Sequence, residues 1–175
     1  PRTWLKPGIM GWYSFVPRME CRHGVISANH EVHGKLAVDG TTLAYDGGKG
    51  YIEKDWGISF PKAWIWLQSN SFSRSDLSVM FSVAHIPWMG SYFPGFIGFV
   101  WMNGRYHLFS TYNGSSLERV QKTKEGLSVV VRNKKLTMNI EVIQKQSGAL
   151  KAPEQGKMTR FIKESLDSEL NVTLH

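Results

Sequence analysis

Cysteine is nearly absent: Cys21 is the only one in 175 residues. An intramolecular disulfide is excluded, and so is a zinc site built from several thiolates. Long apolar runs are also missing. A helix that crosses a bilayer needs roughly 20 consecutive apolar residues, and the longest candidate, Phe93–Met102, is far shorter and carries Pro94, Gly95 and Gly98. Runs of positive charge are lacking as well, since only Lys134 and Lys135 are adjacent. There is no phosphate-binding glycine loop and no serine nucleophile elbow. The sequence starts at Pro1 without a basic-then-apolar leader, so no targeting signal is read from this end, and a cytoplasmic location is the default expectation.

Basic side chains exceed acidic ones, 21 to 14, giving a net charge of +7. The scatter of these charges reads as a solvated basic surface, although anionic partners suit that sign. With 42% hydrophobic and 20% charged residues the composition is globular. The length suits a single domain, 1–175. Seven Trp, six Tyr and nine Phe stand out. Indoles are bulky and need a core, an interface or a ligand to cover them.

Short strands between turn signals dominate the pattern. Asp39-Gly40 and Asn103-Gly104 each sit between segments of strand length, and both dipeptides tolerate the positive φ of a tight hairpin. Asn113-Gly114, Gly126 and Asn133-Lys134-Lys135 punctuate the later chain. Further strands are expected at Trp12–Cys21, Val25–Val32, Tyr51–Trp56, Trp64–Phe72, Leu77–His85 and Glu169–Leu174. About a dozen closely spaced strands imply an all-β fold, mostly antiparallel, closed as a β-barrel or folded as a strongly curved sandwich. Only Met158–Leu166 suits a helical turn or two, and Ser147–Gly156 reads as a loop.

One strand carries an unusual face. In Trp64–Phe72, alternation puts Trp64, Trp66, Gln68, Asn70 and Phe72 on one side and Ile65, Leu67, Ser69 and Ser71 on the other. A plain core would not choose two carboxamides, because each buried amide left unpaired costs about 1–3 kcal/mol. A ligand pocket combines apolar walls with a few orienting polar groups. The competing reading has Gln68 and Asn70 bonding backbone at a strand end or facing water. Just upstream, Glu53 and Asp55 share one strand face, with Lys54 and Trp56 on the other. Two neighbouring carboxylates raise one another's pKa when buried; the rival is a solvated acidic face balanced by Lys54 and Lys62. His30 and His33 fall on opposite strand faces, and with His23 they read as surface or hydrogen-bonded residues rather than metal ligands.

Gly50-Tyr51-Ile52-Glu53-Lys54-Asp55-Trp56-Gly57, then Phe60-Pro61, then Trp64-x-Trp66-x-Gln68-x-Asn70 resembles the signature block of the tocopherol cyclase family. Gly11-Trp12, Phe15-Val16-Pro17, Glu20 and Leu150–Pro153 match it too, in collinear order from Gly11 to about Leu174. The resemblance implies a lipocalin-like β-barrel related to carotenoid hydratase-like proteins, and the C-terminal portion of a longer family member. Plant members close the chromanol ring of vitamin E from a prenylated hydroquinone. Position 55 is Asp here, where the plant cyclases carry Asn.

Chromanol closure protonates a trisubstituted alkene, and a phenol oxygen then traps the tertiary cation. It needs a buried carboxylic acid that stays protonated, aromatic faces that stabilise a cation, and exclusion of water. No cofactor and no metal is required. The resemblance offers Glu53 and Glu20 as proton donors and Trp56, Trp64 and Trp66 as cation-stabilising faces. Gln68 and Asn70 would orient an oxygen, and Trp12 would join the ligand contacts. Because Glu53 and Trp56 have opposite parity, a bulge before Gly57 is needed to turn both inward. The implied partner is a prenylquinol or other isoprenoid, with peripheral membrane contact to collect it and no nucleic acid. The alternatives are a non-catalytic lipocalin-like carrier of an apolar molecule and, more weakly, a nucleic-acid binder.

Overall fold

Asp39-Gly40 and Asn103-Gly104 turn the chain as their residue types dictate, with φ of 49° and 79° in the first and 51° and 70° in the second. A third turn of the same hand, Gln155-Gly156 (φ 50° and 79°), closes a hairpin where the sequence reads as loop. These turns belong to a computed structural model that describes residues 4, 7–17, 19–88 and 90–175. Its strands are β1 (Cys21–Val32), β2 (Lys35–Val38), β3 (Thr41–Ala44), β4 (Gly48–Gly57), β5 (Trp64–Ser69), β6 (Leu77–Trp88) and β7 (Ser91–Met102). They continue as β8 (Arg105–Ser110), β9 (Ser116–Lys122), β10 (Gly126–Arg132), β11 (Thr137–Ile143), β12 (Gly148–Glu154), β13 (Lys157–Glu164) and β14 (Glu169–Leu174). Two short 3₁₀ turns, Gly11–Phe15 and Thr111–Asn113, are the helical elements among the described residues.

All pairings are antiparallel. One four-stranded sheet has the order β5-β6-β7-β8 and a second β14-β11-β10-β9. Their facing side chains make one core: Leu67, Phe81, Val83, Phe96, Val100 and Phe109 from the first sheet meet Val129, Val131, Met138 and Ile140 from the second. Each such side chain, fully buried, stabilises the fold by about 1.5–3 kcal/mol. The opposite face of the first sheet is covered by a two-stranded ribbon, β1 with β4, through a smaller cluster of Ala28, Met80 and Phe99. The hairpin β12–β13 lies against the β4–β5 connection: Phe60 N–H donates to Pro153 O at 3.1 Å, and Arg160 donates to Pro61 O and Lys62 O, both at 2.8 Å.

Several expectations are corrected. The pairings among the described residues do not close a barrel; each four-stranded sheet keeps two edges, and the layers meet face to face as in a curved sandwich. Alternating strands serve either architecture, so the pattern alone does not choose between them. Trp12–Cys21 is not a strand. Gly11 takes φ +56° with the Tyr112 ring packed on it, and Tyr13 and Val16 N–H groups bond three residues back. The Met158–Leu166 stretch, expected to hold helix, lies mostly in β13. Ser147–Gly156 supplies β12 rather than a loop. The strand expected to reach Phe72 ends at Ser69, and Phe72 packs on the main core.

Candidate functional site

The ribbon and the first sheet do not seal against each other. Between them, and continuing past the free edge of β5, runs a partly open cleft of about 1380 Å³. Strand parity decides what lines it. On β4, Tyr51, Glu53 and Asp55 alternate with Ile52, Lys54 and Trp56. The β1 register sets Val25 opposite Glu53 and His23 opposite Asp55, so His23 joins the two carboxylates on the inner face. Across the cleft β5 presents Trp64, Trp66 and Gln68.

Three contacts converge on one oxygen, Glu53 Oε2. Tyr51 Oη–H donates to it at 2.5 Å, Trp66 Nε1–H donates at 3.2 Å, and His23 Nε2 lies 3.4 Å away. His23 Nδ1 is 2.6 Å from Asp55 Oδ1. The side chains of His23, Glu53 and Asp55 are 12%, 19% and 32% exposed, which grades the cluster from buried imidazole to half-open Asp55. No Lys or Arg among the described residues pairs with Glu53.

Burial raises the Glu53 pKa above the ordinary carboxylate value; the Tyr51 hydrogen bond, His23 and Trp66 pull the other way, and Asp55 adds to the rise. For His23, burial pulls down, but the hydrogen bond to Asp55 and the charges of Glu53 and Asp55 outweigh it and leave the pKa raised. Burial, then Glu53, pushes the Tyr51 phenol far up, so it stays a donor. The Cys21 thiol, raised to about 12 by burial and Asp55, is not a nucleophile. Glu53 and His23 thus act on one another: the imidazole lowers the proton affinity of the carboxyl, and the carboxylate raises that of the imidazole. The same His23, Glu53 and Asp55 atoms lie within 4.8 Å of one another and could hold a divalent ion, but the short His23–Asp55 bond already uses Nδ1 and one carboxylate oxygen.

The other expected residues scatter. Trp64 lines the cleft, but the Arg160 guanidinium stands over its ring at 4.8 Å, so that face already holds a cation. Gln68 lines the cleft, and Gln68 Nε2 and Asn70 Nδ2 are buried without a hydrogen-bond partner. Trp56 is on the outer face of the ribbon, its ring against Gly24 and beneath the Lys54 ammonium at 5.9 Å. The register runs unbroken from Val25–Glu53 to Cys21–Gly57, so the bulge that would turn Trp56 inward is not there. Glu20 lines a smaller pocket beside Lys62 and Arg160, and its carbonyl accepts from Ile58 and Ser59 N–H at 2.9 and 3.3 Å. Trp12 faces outward and stacks on Tyr13, which does line the cleft. Sequence reasoning read His23 as surface or hydrogen-bonded, and it does bond Asp55, but the sequence did not place it beside Glu53; Arg160 and the Tyr51 phenol were passed over. Tyr51 was legible, two residues before Glu53 on the same face; His23 and Arg160 were not, because strand register and hairpin docking deliver them.

The sequence model of the family described as Tocopherol cyclase-like matches residues 3–175. This chain belongs to that family. A probable tocopherol cyclase, chloroplastic, of Oryza sativa subsp. japonica is 31% identical over 74 residues, 42% of this chain and 16% of the relative. The tocopherol cyclase, chloroplastic, of Zea mays is 30% identical over 74 residues, with the same shares. The match thus spans about a sixth of those curated relatives. No solved structure matches. No helix among the described residues is long and apolar enough to cross a membrane.

Proposed function

We propose that this protein binds a prenylated hydroquinone or related isoprenoid in the cleft and cyclises it by protonating an alkene, with Glu53 as the acid. One observation carries the reading: a carboxyl group on the cleft wall, with its pKa raised by burial and no Lys or Arg ion pair among the described residues. That is the condition a general acid needs near neutral pH. Tyr51 and Trp66 hold Oε2, so Oε1 carries the proton to the alkene. The tertiary cation forms beside the Trp66 ring, and the phenol oxygen closes on it. The phenolic proton returns to the cluster through His23 Nε2, which is buried and has its hydrogen-bonding capacity unspent. Substrate and product are isomers, so protons balance within one turnover and no cofactor enters. The lobe of the cleft beyond β5, walled by Ile65, Leu127, Val142 and Leu170, suits the apolar tail.

Assay of the wild-type protein and Glu53→Gln with a prenylated hydroquinone, in heavy water, tests this. The expected product is a chromanol carrying one deuterium at the protonated alkene carbon, with turnover lowered about 10²–10⁴-fold in the variant. Tight binding without product in both proteins would favour the carrier reading instead. Equal turnover in both would remove Glu53 as the acid.

A further inference from the structure

Asp55 touches the proton path at one point, the His23 imidazole. The two residues are cross-strand partners in the β1–β4 register, so the backbone brings their side chains together. His23 Nδ1 lies 2.6 Å from Asp55 Oδ1. On the other side of the ring Nε2 is buried, has no hydrogen-bond partner among the described residues, and stands 3.4 Å from Glu53 Oε2. A neutral imidazole carries one N–H and one lone pair, and the contacts of each nitrogen decide which is which. With the proton on Nε2, the Nδ1 lone pair would face a carboxylate oxygen at 2.6 Å, acceptor against acceptor. That Nε2–H would also find Oε2 already accepting from Tyr51 and Trp66. With the proton on Nδ1, a charge-assisted hydrogen bond to Asp55 forms and the Nε2 lone pair is left free.

We propose that Asp55 is a positioning residue: it accepts from Nδ1–H, locks the neutral His23 ring in that tautomer, and keeps the Nε2 lone pair as the base beside Glu53. The inference deepens the cyclase reading and rests on it for the direction in which the proton moves; the tautomer itself does not depend on it. In that reaction Glu53 gives a proton to the alkene carbon. The phenol O–H bond breaks as the new C–O bond forms, and Nε2 takes the phenolic proton. Asp55 then faces an imidazolium, which its negative charge stabilises until the proton passes on to the Glu53 carboxylate. One proton leaves the cluster and one returns. The other titratable groups coupled to Asp55 among the described residues are Tyr51 on β4 and Cys21 on β1. Both hold their protons tightly, so neither supplants His23 as the base.

The test is NMR of the isotope-labelled full chain, correlating ring protons with ring nitrogens at a pH high enough that the His23 shifts no longer change. His23→Asn assigns the ring signals by their loss. The expected result in the wild type is Nδ1 as the proton-bearing nitrogen and Nε2 as the bare one. In Asp55→Asn, whose amide can donate to Nδ1 as well as accept from it, the Nε2–H form should appear. Nε2–H as the main form in the wild type would overturn the proposal, and that spectrum needs no variant to fold. A wild-type tautomer kept unchanged in both Asp55→Asn and Asp55→Ala would overturn it too. With a prenylated hydroquinone as substrate, Asp55→Asn should lower kcat about tenfold or more with KM little changed. A raised KM with kcat unchanged would remove Asp55 from the proton path. The tautomer is read without turnover, so a wild type that makes no chromanol counts against the cyclase reading alone.

Discussion

Glu53 and His23 carry opposite consequences of being buried together. Glu53 holds its proton to a higher pH than an ordinary carboxylate because burial raises its pKa, so a reaction that uses this proton is sustained at low pH and falls as pH rises through that raised value. A pH profile of turnover should therefore have a descending limb that Glu53→Gln abolishes along with activity. His23 is the case for stability. Its pKa is raised in the folded protein above the usual value of 6.5. The charged imidazole thus contributes stability fully below about 6.5, and that contribution is lost as pH rises through the folded value. Denaturant midpoints of wild type and His23→Asn should differ most below 6.5 and converge only once pH passes the raised folded value. Exhaustive chelation should leave turnover unchanged, since the roles assigned to the cluster are proton-sharing; loss restored by a divalent ion would reassign its donor atoms. At this scale the shared face of Glu53 and Asp55 was legible from sequence, because Glu53 lies in a contiguous block with fixed parity. Its imidazole partner was not, because 30 residues separate the two and only the β1–β4 register makes them neighbours.

Strand ends explain which elements could be foreseen. Asp39-Gly40 and Asn103-Gly104 announce their hairpins because both residues accept positive φ. Gln155-Gly156 does not, since Gln seldom takes that conformation, and β12–β13 was accordingly read as loop and helix. Gly57 shows how much one position can decide. It holds φ +153°, and a Cβ there would lie 2.0 Å from the Glu20 carbonyl oxygen. That oxygen is also the acceptor for Ile58 and Ser59. Gly57→Ala should destabilise the protein by more than about 2 kcal/mol, read as a lowered denaturant midpoint. Because the displaced backbone anchors the end of β4, the loss should come with weaker ligand binding. Trp56 follows from the same regularity: an unbroken register keeps it outside, whatever its place in the family block.

Across the whole molecule, the main core and the carboxylate side of the candidate site sit in different layers. The sandwich core is closed by Phe81, Phe109, Val100 and Val129, all fully buried. Phe81 packs directly on Gly98 of the neighbouring strand. Phe81→Ala should cost about 3–5 kcal/mol, seen in equilibrium unfolding. Alternation in the sequence made an all-β chain plain, yet barrel or sandwich is settled by which strand edges meet, and that information is spread over contacts far apart in the chain. The ribbon that carries Tyr51, Glu53 and Asp55, by contrast, rests on the small cluster around Ala28, Met80 and Phe99. Amide hydrogens of β1 and β4 should accordingly exchange sooner than those of β6, β7 and β10. Half of the candidate site is thus mounted on its own lightly fastened leaf, where a substitution can alter the cleft wall while leaving the main core beneath it intact.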